Sequence, residues 1–261
     1  MIINPYFAPN SGGSVPTGNL RVWLKADTGV TYNISNQVAQ WNTQTGNGLN
    51  AIQSTTTNKP TYVATNANFN NKPTINFSAA GDDYMTFAIS SLFNFSSGFT
   101  IYVVAKVSFT NTFNMLLQHS NGSTWTQGWG ILYYSSTNSY RFFVNNWNNV
   151  ANYVEIPHTN TASAQIYKFK WTGTNIVASI LGSVPASGTK AFSGPYTDPS
   201  LSYSPEIARG GATIYDFSCD IPEILMYNSG NIGTPNETAV ETYLKSKKKL
   251  SRLFKMLQQL L

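Results

Sequence analysis

From Phe99 to Val107 the chain alternates without a break: Phe99, Ile101, Val103, Ala105 and Val107 fall on one side, and Thr100, Tyr102, Val104 and Lys106 on the other. A period of two belongs to a strand, because successive side chains of an extended backbone point to opposite faces. Val22, Leu24 and Ala26 alternate in the same way with Arg21, Trp23 and Lys25, and Ile75 and Phe77 follow the Lys72–Pro73 turn. Further strands are predicted at 113–118, 129–134, 140–145, 166–171, 176–181, 213–218 and 221–227. Many short strands broken by Gly, Asn, Pro and Ser are the pattern of an all-β sandwich or barrel. A chain of 261 residues can bury one large core of this kind.

Aromatic residues make up 14% of the chain and charged residues only 10%, against about 25% charged in an ordinary globular protein. Asn, Thr and Ser take the place of the charges. Such a surface suits an exposed, protease-facing or carbohydrate-facing protein, although Thr and aromatics also serve plain β-propensity. The net charge of +5 is unevenly placed, since Lys245, Lys247, Lys248, Lys249, Arg252 and Lys255 supply six of the sixteen basic residues. Residues 1–244 carry ten basic and eleven acidic groups, a formal −1, so the pI near 9.2 gives no ground for nucleic-acid binding by the body of the chain. The single cysteine, Cys219, excludes an internal disulfide and sits in an apolar strand pattern, where a buried inert thiol is expected.

The opening MIINPYFAPNSGG has neither a basic n-region nor an apolar h-region, so no secretory signal is expected. No apolar run approaches the ~18 residues of a transmembrane helix. Residues 1–18 read as an extended arm, 19–245 as the sandwich and 246–261 as a helical tail continuing a helix begun near 235. The helix signal is Thr234-Pro235-Asn236-Glu237, read as a capping box with proline at the first helical position.

Several phrases, in this order, carry a resemblance: RVWLKADTGV, VAQWNTQTGNGLNAIQ, KPTINFSAAGDDYMTF, FTIYVVAKV and the closing IPEILMYNSGNIGTPNETAVETYLKSK. Together they resemble a laminin-G-like jelly-roll domain of the concanavalin-A-like lectin and glucanase superfamily, over about 20–247. The resemblance implies an all-β, two-sheet antiparallel jelly-roll sandwich, here with a C-terminal amphipathic α-helix. It also implies a recognition or structural module, of the kind fused to adhesins, glycan-active enzymes or viral particle proteins. Some relatives bind calcium at loop carboxylates, which makes Asp82 and Asp83 of GDDY candidate ligands. Two adjacent acids fall short of the six to eight oxygens calcium takes, and a turn carboxylate accepting backbone N–H bonds is the competing reading. No cofactor is otherwise expected. Trp41 reads as a core anchor and Glu223 as an inward, hydrogen-bonded structural acid.

The chemistry of an enzyme is hard to find. There is no Glu-x-Asp pair of the glycosidase type, no nucleophile elbow, and neither His119 nor His158 has a metal-spaced partner. The chain is therefore read as non-enzymatic. Binding has more to work with. Between 124 and 149 lie Trp125, Trp129, Tyr133, Tyr134, Tyr140, Arg141, Phe142, Phe143 and Trp147, with Asn145, Asn146, Asn148 and Asn149. Trp125 and Trp147 stand in loops and are read as exposed stacking platforms for sugar rings, with Asn145, Asn146 and Asn148 bonding hydroxyls. The competing readings are core filling, certain for one of Phe142 and Phe143, and protein–protein contact.

Residues 248–261 have no counterpart in the family pattern. On a helical wheel Leu250, Leu253, Phe254, Leu257, Leu260 and Leu261 form one stripe, opposite Ser251, Arg252, Lys255, Gln258 and Gln259. The stripe can dock on sister copies or a partner's groove, lie on an anionic membrane surface, or pack back on its own sandwich. The function expected is a module displayed on an assembly, such as a bacteriophage virion decoration or spike, docked through its termini and able to bind host glycans. A carbohydrate-binding module of a bacterial surface or secreted protein is the alternative, and a glycosidase the remaining one.

Overall fold

The alternating segments pair as antiparallel strands in the computed structural model, which describes residues 14–109, 111–122, 124–157, 163–181, 186–192, 194–211 and 217–247. In chain order the strands are β1 (Leu20–Lys25), β2 (Val30–Tyr32), β3 (Val38–Trp41), β4 (Ala51–Ile52), β5 (Thr61–Asn66), β6 (Lys72–Phe77), β7 (Met85–Phe87) and β8 (Phe99–Ser108). They continue with β9 (Phe113–His119), β10 (Trp129–Tyr134), β11 (Ser139–Val144), β12 (Tyr153–Pro157), β13 (Gln165–Trp171), β14 (Asn175–Leu181), β15 (Ala186–Ala191), β16 (Glu206–Ile207) and β17 (Ser218–Tyr227). One helix follows, α1 (Thr234–Lys245). An eight-stranded sheet has the order β15-β14-β13-β8-β17-β6-β5 with β1 added beside β17, and a nine-stranded sheet has the order β12-β11-β10-β9-β16-β7-β4-β3-β2. The expected all-β sandwich of two antiparallel sheets with a C-terminal helix is thus the observed fold. The strand predicted at 213–218 lies outside the described residues except at its end, where β17 begins.

The inner faces meet in one core. Phe99, Ile101, Val103, Ala105 and Val107 of β8 pack there with Trp41, Trp129, Phe142, Phe169 and Ile224. The opposite side of β8 is buried as well. Tyr102 and Val104 join Ile166, Leu225, Tyr227 and Phe69 in a second cluster, which Val240 and Leu244 of α1 cover. A strand buried on both faces explains why Tyr102 and Val104 are apolar where a solvated face would be polar. The helix therefore lies against the outer face of the eight-stranded sheet, with Trp23 edge-on to Tyr243 at 6.1 Å.

Ion pairs hold α1 in register. Lys168 Nζ lies 2.5 Å from Glu237 and 2.8 Å from Glu241, and Lys170 Nζ lies 2.5 Å from Glu237. This corrects the capping-box expectation: Gly233 is the N-cap, with no side-chain capping bond, and Glu237 turns to the sheet lysines instead. At the far end Lys247 Nζ sits 3.2 Å from Asp27 and 3.3 Å from Glu223, whose Oε1 accepts from Trp23 Nε1 at 2.7 Å. Glu223 is 1% exposed. Burial pushes its carboxyl up, and Lys247 and Trp23 pull it back. It is a structural acid at the join of helix and sheet.

Burial opposes the ionisation of Glu237, yet the bonds from Lys168 and Lys170 outweigh it and hold the carboxyl below its ordinary range. A depressed carboxyl contributes stability above the ordinary value, about 4.3, and loses it as pH falls through the folded value. The Lys168 ammonium is pushed up, Glu237 and Glu241 outweighing its burial, so its contribution lasts until strongly alkaline pH. Glu237→Gln is expected to lower stability by about 1–2 kcal/mol at pH 7 and by progressively less below about pH 4. Urea melts of wild type and variant across that range check both the size and the sign.

Candidate functional site

The one α-helix among the described residues packs on the eight-stranded sheet, and loops cover part of the outer face of the nine-stranded sheet. Tyr140, Phe142 and Val144 of β11 point inward, which leaves Arg141 and Phe143 on the outside. A bulge in β9 helps: Leu117 pairs with Ile131 but Met115 with Leu132, so Leu116 and Leu117 both enter the core while Met115 faces out. Met115, Leu132, Phe143 and Trp125 form a small outer cluster, flanked by the half-buried Phe113, Trp147 and Tyr153. Phe143 lies over Gly130, where a Cβ would come within 2.5 Å of the ring.

Trp125 is not the exposed platform that its loop suggests. It is 1% exposed, takes a left-handed backbone at φ 46°, and donates its indole N–H to Gly210 O at 3.2 Å. Its ring packs over the outer cluster, edge-on to Phe113 at 6.0 Å and to Trp147 at 5.7 Å. Asn121 folds the loop that delivers it, accepting from the Thr126 backbone N–H at 2.7 Å and donating to the Thr126 hydroxyl at 2.8 Å.

Trp147 is half-buried and remains at the surface. Its ring meets Phe113 at 5.0 Å and Tyr134 at 5.8 Å, both edge-on. Beneath it Arg141 is 6% exposed, its guanidinium 4.6 Å from the Tyr134 ring, 4.4 Å from Tyr153 and 5.5 Å from Trp147. Phe113 stacks in parallel on Tyr134 at 5.0 Å. A ladder of rings around one cation thus crosses β9 to β12, each cation–π contact adding about 0.5–2 kcal/mol. Glu155 lies 3.7 Å from Arg141 Nε and accepts from the Ser139 hydroxyl. Burial opposes its charge, but Ser139, Thr137 and Arg141 prevail and keep the carboxyl below its ordinary range.

The asparagines divide. Asn145 is committed to the fold: its amide donates to Pro195 O at 2.6 Å and accepts from Thr197 N at 2.9 Å. Asn146 accepts from the Asn148 backbone N–H at 3.0 Å, which closes the turn, and Asn148 is exposed. Only the last two stand beside Trp147 with capacity for a ligand.

A second polar group on this face carried no recognised signal in the sequence. One cross-strand row runs Thr86, Glu206, Gln118, Gly130, Phe143, Tyr153. Gln118 Nε2 donates to Glu206 Oε2 at 2.6 Å, Arg209 Nη1 is 4.0 Å from Glu206 Oε1, and the guanidinium lies 4.0 Å over the Tyr84 ring. Burial pushes the Glu206 carboxyl up against the pull of Gln118, Arg209 and Gly211. A strand of two residues has no periodicity to read, so only the isolated acid in SPEIARGG signalled the site.

The calcium candidates lie apart from the aromatic ladder. Asp82 occupies a left-handed turn position at φ 50°, and Asp83 Oδ2 accepts from Ser78 N at 3.0 Å. Burial, with Asp82 beside it, pushes the Asp83 carboxyl up to about 6 although Ser78 opposes this. Among the described residues no group of three or more His, Cys, Asp or Glu is placed to hold a metal ion. His119 is buried, which pushes its imidazole down to about 4, and its Nε2 lies 3.0 Å from Tyr203 O. His158 and the stripe Leu250, Leu253, Phe254, Leu257, Leu260 and Leu261 lie outside the described residues. Among the described residues no helix is long and apolar enough to cross a membrane.

Neither a family model nor a curated protein sequence matches the chain. Solved structures do. The binding domain of paraclostridial mosquitocidal protein 1 superposes with a TM-score of 0.57 at 14% identity, over 87% of this chain and 52% of that one. A GH54 α-L-arabinofuranosidase gives 0.61 at 10% identity, over 92% and 62%. The binding domain of botulinum neurotoxin DC in complex with SialylT gives 0.52 at 12% identity, over 87% and 52%. The chain thus spans roughly half to three fifths of these proteins, and the likeness is one of fold.

Trp125→Ala is expected to destabilise the fold by about 3–5 kcal/mol, as for any large buried ring, whereas Trp147→Ala costs about 1–2 kcal/mol. Chemical denaturation of the two variants separates the buried peg from the surface ring.

Proposed function

We propose that the chain is a non-enzymatic recognition module of the laminin-G-like, jelly-roll lectin-like kind, binding a glycan on the outer face of its nine-stranded sheet. The observation that carries this reading is the half-exposed ring set Trp147, Tyr134 and Tyr153 held rigid around Arg141, with Asn146 and Asn148 at its rim. Rings fixed in this way offer apolar faces to the C–H faces of a sugar at small entropic cost, and amides beside them serve its hydroxyls. The fold likeness to a neurotoxin binding domain solved with SialylT and to an arabinofuranosidase agrees with a glycan ligand.

A hydrolase needs two carboxyl groups about 5–9.5 Å apart across the scissile bond. Glu206 is the acid on this face with a raised carboxyl, and its neighbours along the row are Thr86 and Gln118. That arrangement favours holding a sugar over cleaving one.

The same proposal sets the module on an assembly, in the first place a virion, docked through 248–261 and its stripe Leu250, Leu253, Phe254, Leu257, Leu260 and Leu261. Its support is directional. Lys247 is fastened to Asp27 and Glu223 beneath α1, so the chain leaves from the sheet face opposite the aromatic one. Docking and recognition then use opposite sides. A carbohydrate-binding module of a surface or secreted protein uses the same rings, and an anionic membrane is the other partner the basic tail suits.

On a glycan array Trp147→Ala and Tyr153→Ala are expected to weaken the best signal at least about tenfold, the equivalent of 1.4 kcal/mol. Deleting 248–261 is expected to leave glycan binding unchanged and to abolish self-association or partner capture in light scattering. Silence of the wild type on every glycan, or turnover of a polysaccharide panel, contradicts the reading.

A further inference from the structure

Four large apolar side chains stand exposed at one end of the sandwich: Ile89, Leu92, Leu201 and Tyr203. Two segments bring them there. Phe87 N–H bonds Pro205 O at 3.1 Å where β7 and β16 run antiparallel, so Ile89 and Tyr203 each follow two residues further out. Tyr203 O lies 3.0 Å from His119 Nε2, and the His119 ring meets Phe93, the neighbour of Leu92, edge-on at 5.8 Å. Leu201, 75% exposed, tops the turn in which the Ser202 and Tyr203 N–H groups both return to Pro199 O at 2.9 Å. Single exposed apolar residues are ordinary, but several gathered together mark an interaction site. The segments that carry them, 88–98 and 199–205, hold no charged side chain.

The N-terminal segment joins the fold at this same end. Val15 packs on the apolar cluster that α1 covers, and Pro16 O accepts from the Tyr227 hydroxyl at 3.0 Å. Tyr227 pairs with Thr100 near the start of β8, and the segment of Ile89 and Leu92 runs directly into β8. Residues 1–13, MIINPYFAPNSGG, include Ile2, Ile3, Tyr6 and Phe7 and no charged side chain. The stretch from Phe7 to Pro16 reaches at most about 32 Å, against a sheet-to-sheet separation of about 10 Å. The C-terminal tail suits the patch less. Lys248, Lys249, Arg252 and Lys255 meet no acid in either segment, and Lys247 is fastened away from it to Asp27 and Glu223.

We propose that the patch is the docking site of this chain's own residues 1–7, with Ile2, Ile3, Tyr6 and Phe7 covering Ile89, Leu92, Leu201 and Tyr203. Burial of apolar surface drives the contact and desolvates no charge. The hold on Pro16 makes it intramolecular, at an effective concentration of about millimolar. The inference is independent of the glycan reading.

Cysteine pairs in the full chain test it, because Cys219 is buried and its thiol pushed up. Ile3→Cys is combined with Leu201→Cys, or with Ile34→Cys, fully exposed on the β2–β3 hairpin toward the opposite end. Diamide is the oxidant: its N=N bond takes up the two electrons and two protons that the thiols give as the S–S bond forms. Expected is a disulfide within one chain, closing at least about tenfold faster for the Leu201 pair than for the Ile34 pair. Phe7→Asp added to the Leu201 pair is expected to slow it to the Ile34 rate, since a mere tether is indifferent to that side chain. Equal rates for the two pairs, or a rate untouched by Phe7→Asp, overturn the docking. A link between two chains overturns the intramolecular contact and assigns the patch to a second copy. As a readout without new cysteines, deleting 1–13 is expected to raise the fluorescence of an apolar-surface dye at an unchanged circular dichroism spectrum; a dye signal equal to that of the wild type overturns the docking as well.

Discussion

Two sheets packed face to face hide their inner surfaces and leave two outer ones, and the docking of α1 on one of these decides what the other is free to do. Val240 and Leu244 close the apolar strip made by Tyr102, Val104, Ile166 and Leu225, while Lys168 and Lys170 fasten Glu237. The half-buried ion pairs and the apolar strip reinforce each other: the strip supplies the larger driving force, and the charges fix where along the sheet the helix lies. With that side closed, the half-buried ladder on β9 to β12 lies on the other outer face.

That surface is built to stay in place. Trp125 plugs the middle of the face and binds the loop of Gly210, Phe143 fills the space above Gly130, and Arg141 is gripped by three rings. The rings pack against one another and around Arg141, so little conformational freedom is left to lose on binding. Charge is scarce there: Arg141 has Glu155, and Arg209 has Glu206. The binding expected of such a face depends on stacking and directional hydrogen bonds and only weakly on salt.

The fold was readable where a central strand showed its period, but the edge strands β5, β12 and β15, five or six residues long, were missed. β8 was found with its two faces assigned, and β9, β10, β11, β13 and β14 were placed to within about a residue. Two-residue strands such as β4 and β16 show no period and were missed, and Glu206 and the role of Arg209 were missed with them. Phe142 and Phe143 show a second limit. One was expected in the core, but both are buried, because a pegged loop covers the outer side of their strand. The same loop defeated the reading of Trp125. Neighbouring Asn, Thr and Gly residues suggested exposure, and nothing in the sequence shows that a left-handed turn at Trp125 folds the ring back onto the sheet. Glu237 matched the capping pattern, yet its carboxylate pairs with Lys168 and Lys170 of the sheet, and the N-cap Gly233 has no side-chain capping bond.

On the proposed function the closed face carries the docking tail and the open face binds the glycan. Hydrogen–deuterium exchange of the full chain, with and without a saturating glycan, tests it most directly. Slowed exchange is expected across 113–157 and 206–211, with α1 and β17 unchanged. Slowing confined to α1 and the strands beneath it, with β9 to β12 indifferent to the glycan, would contradict it.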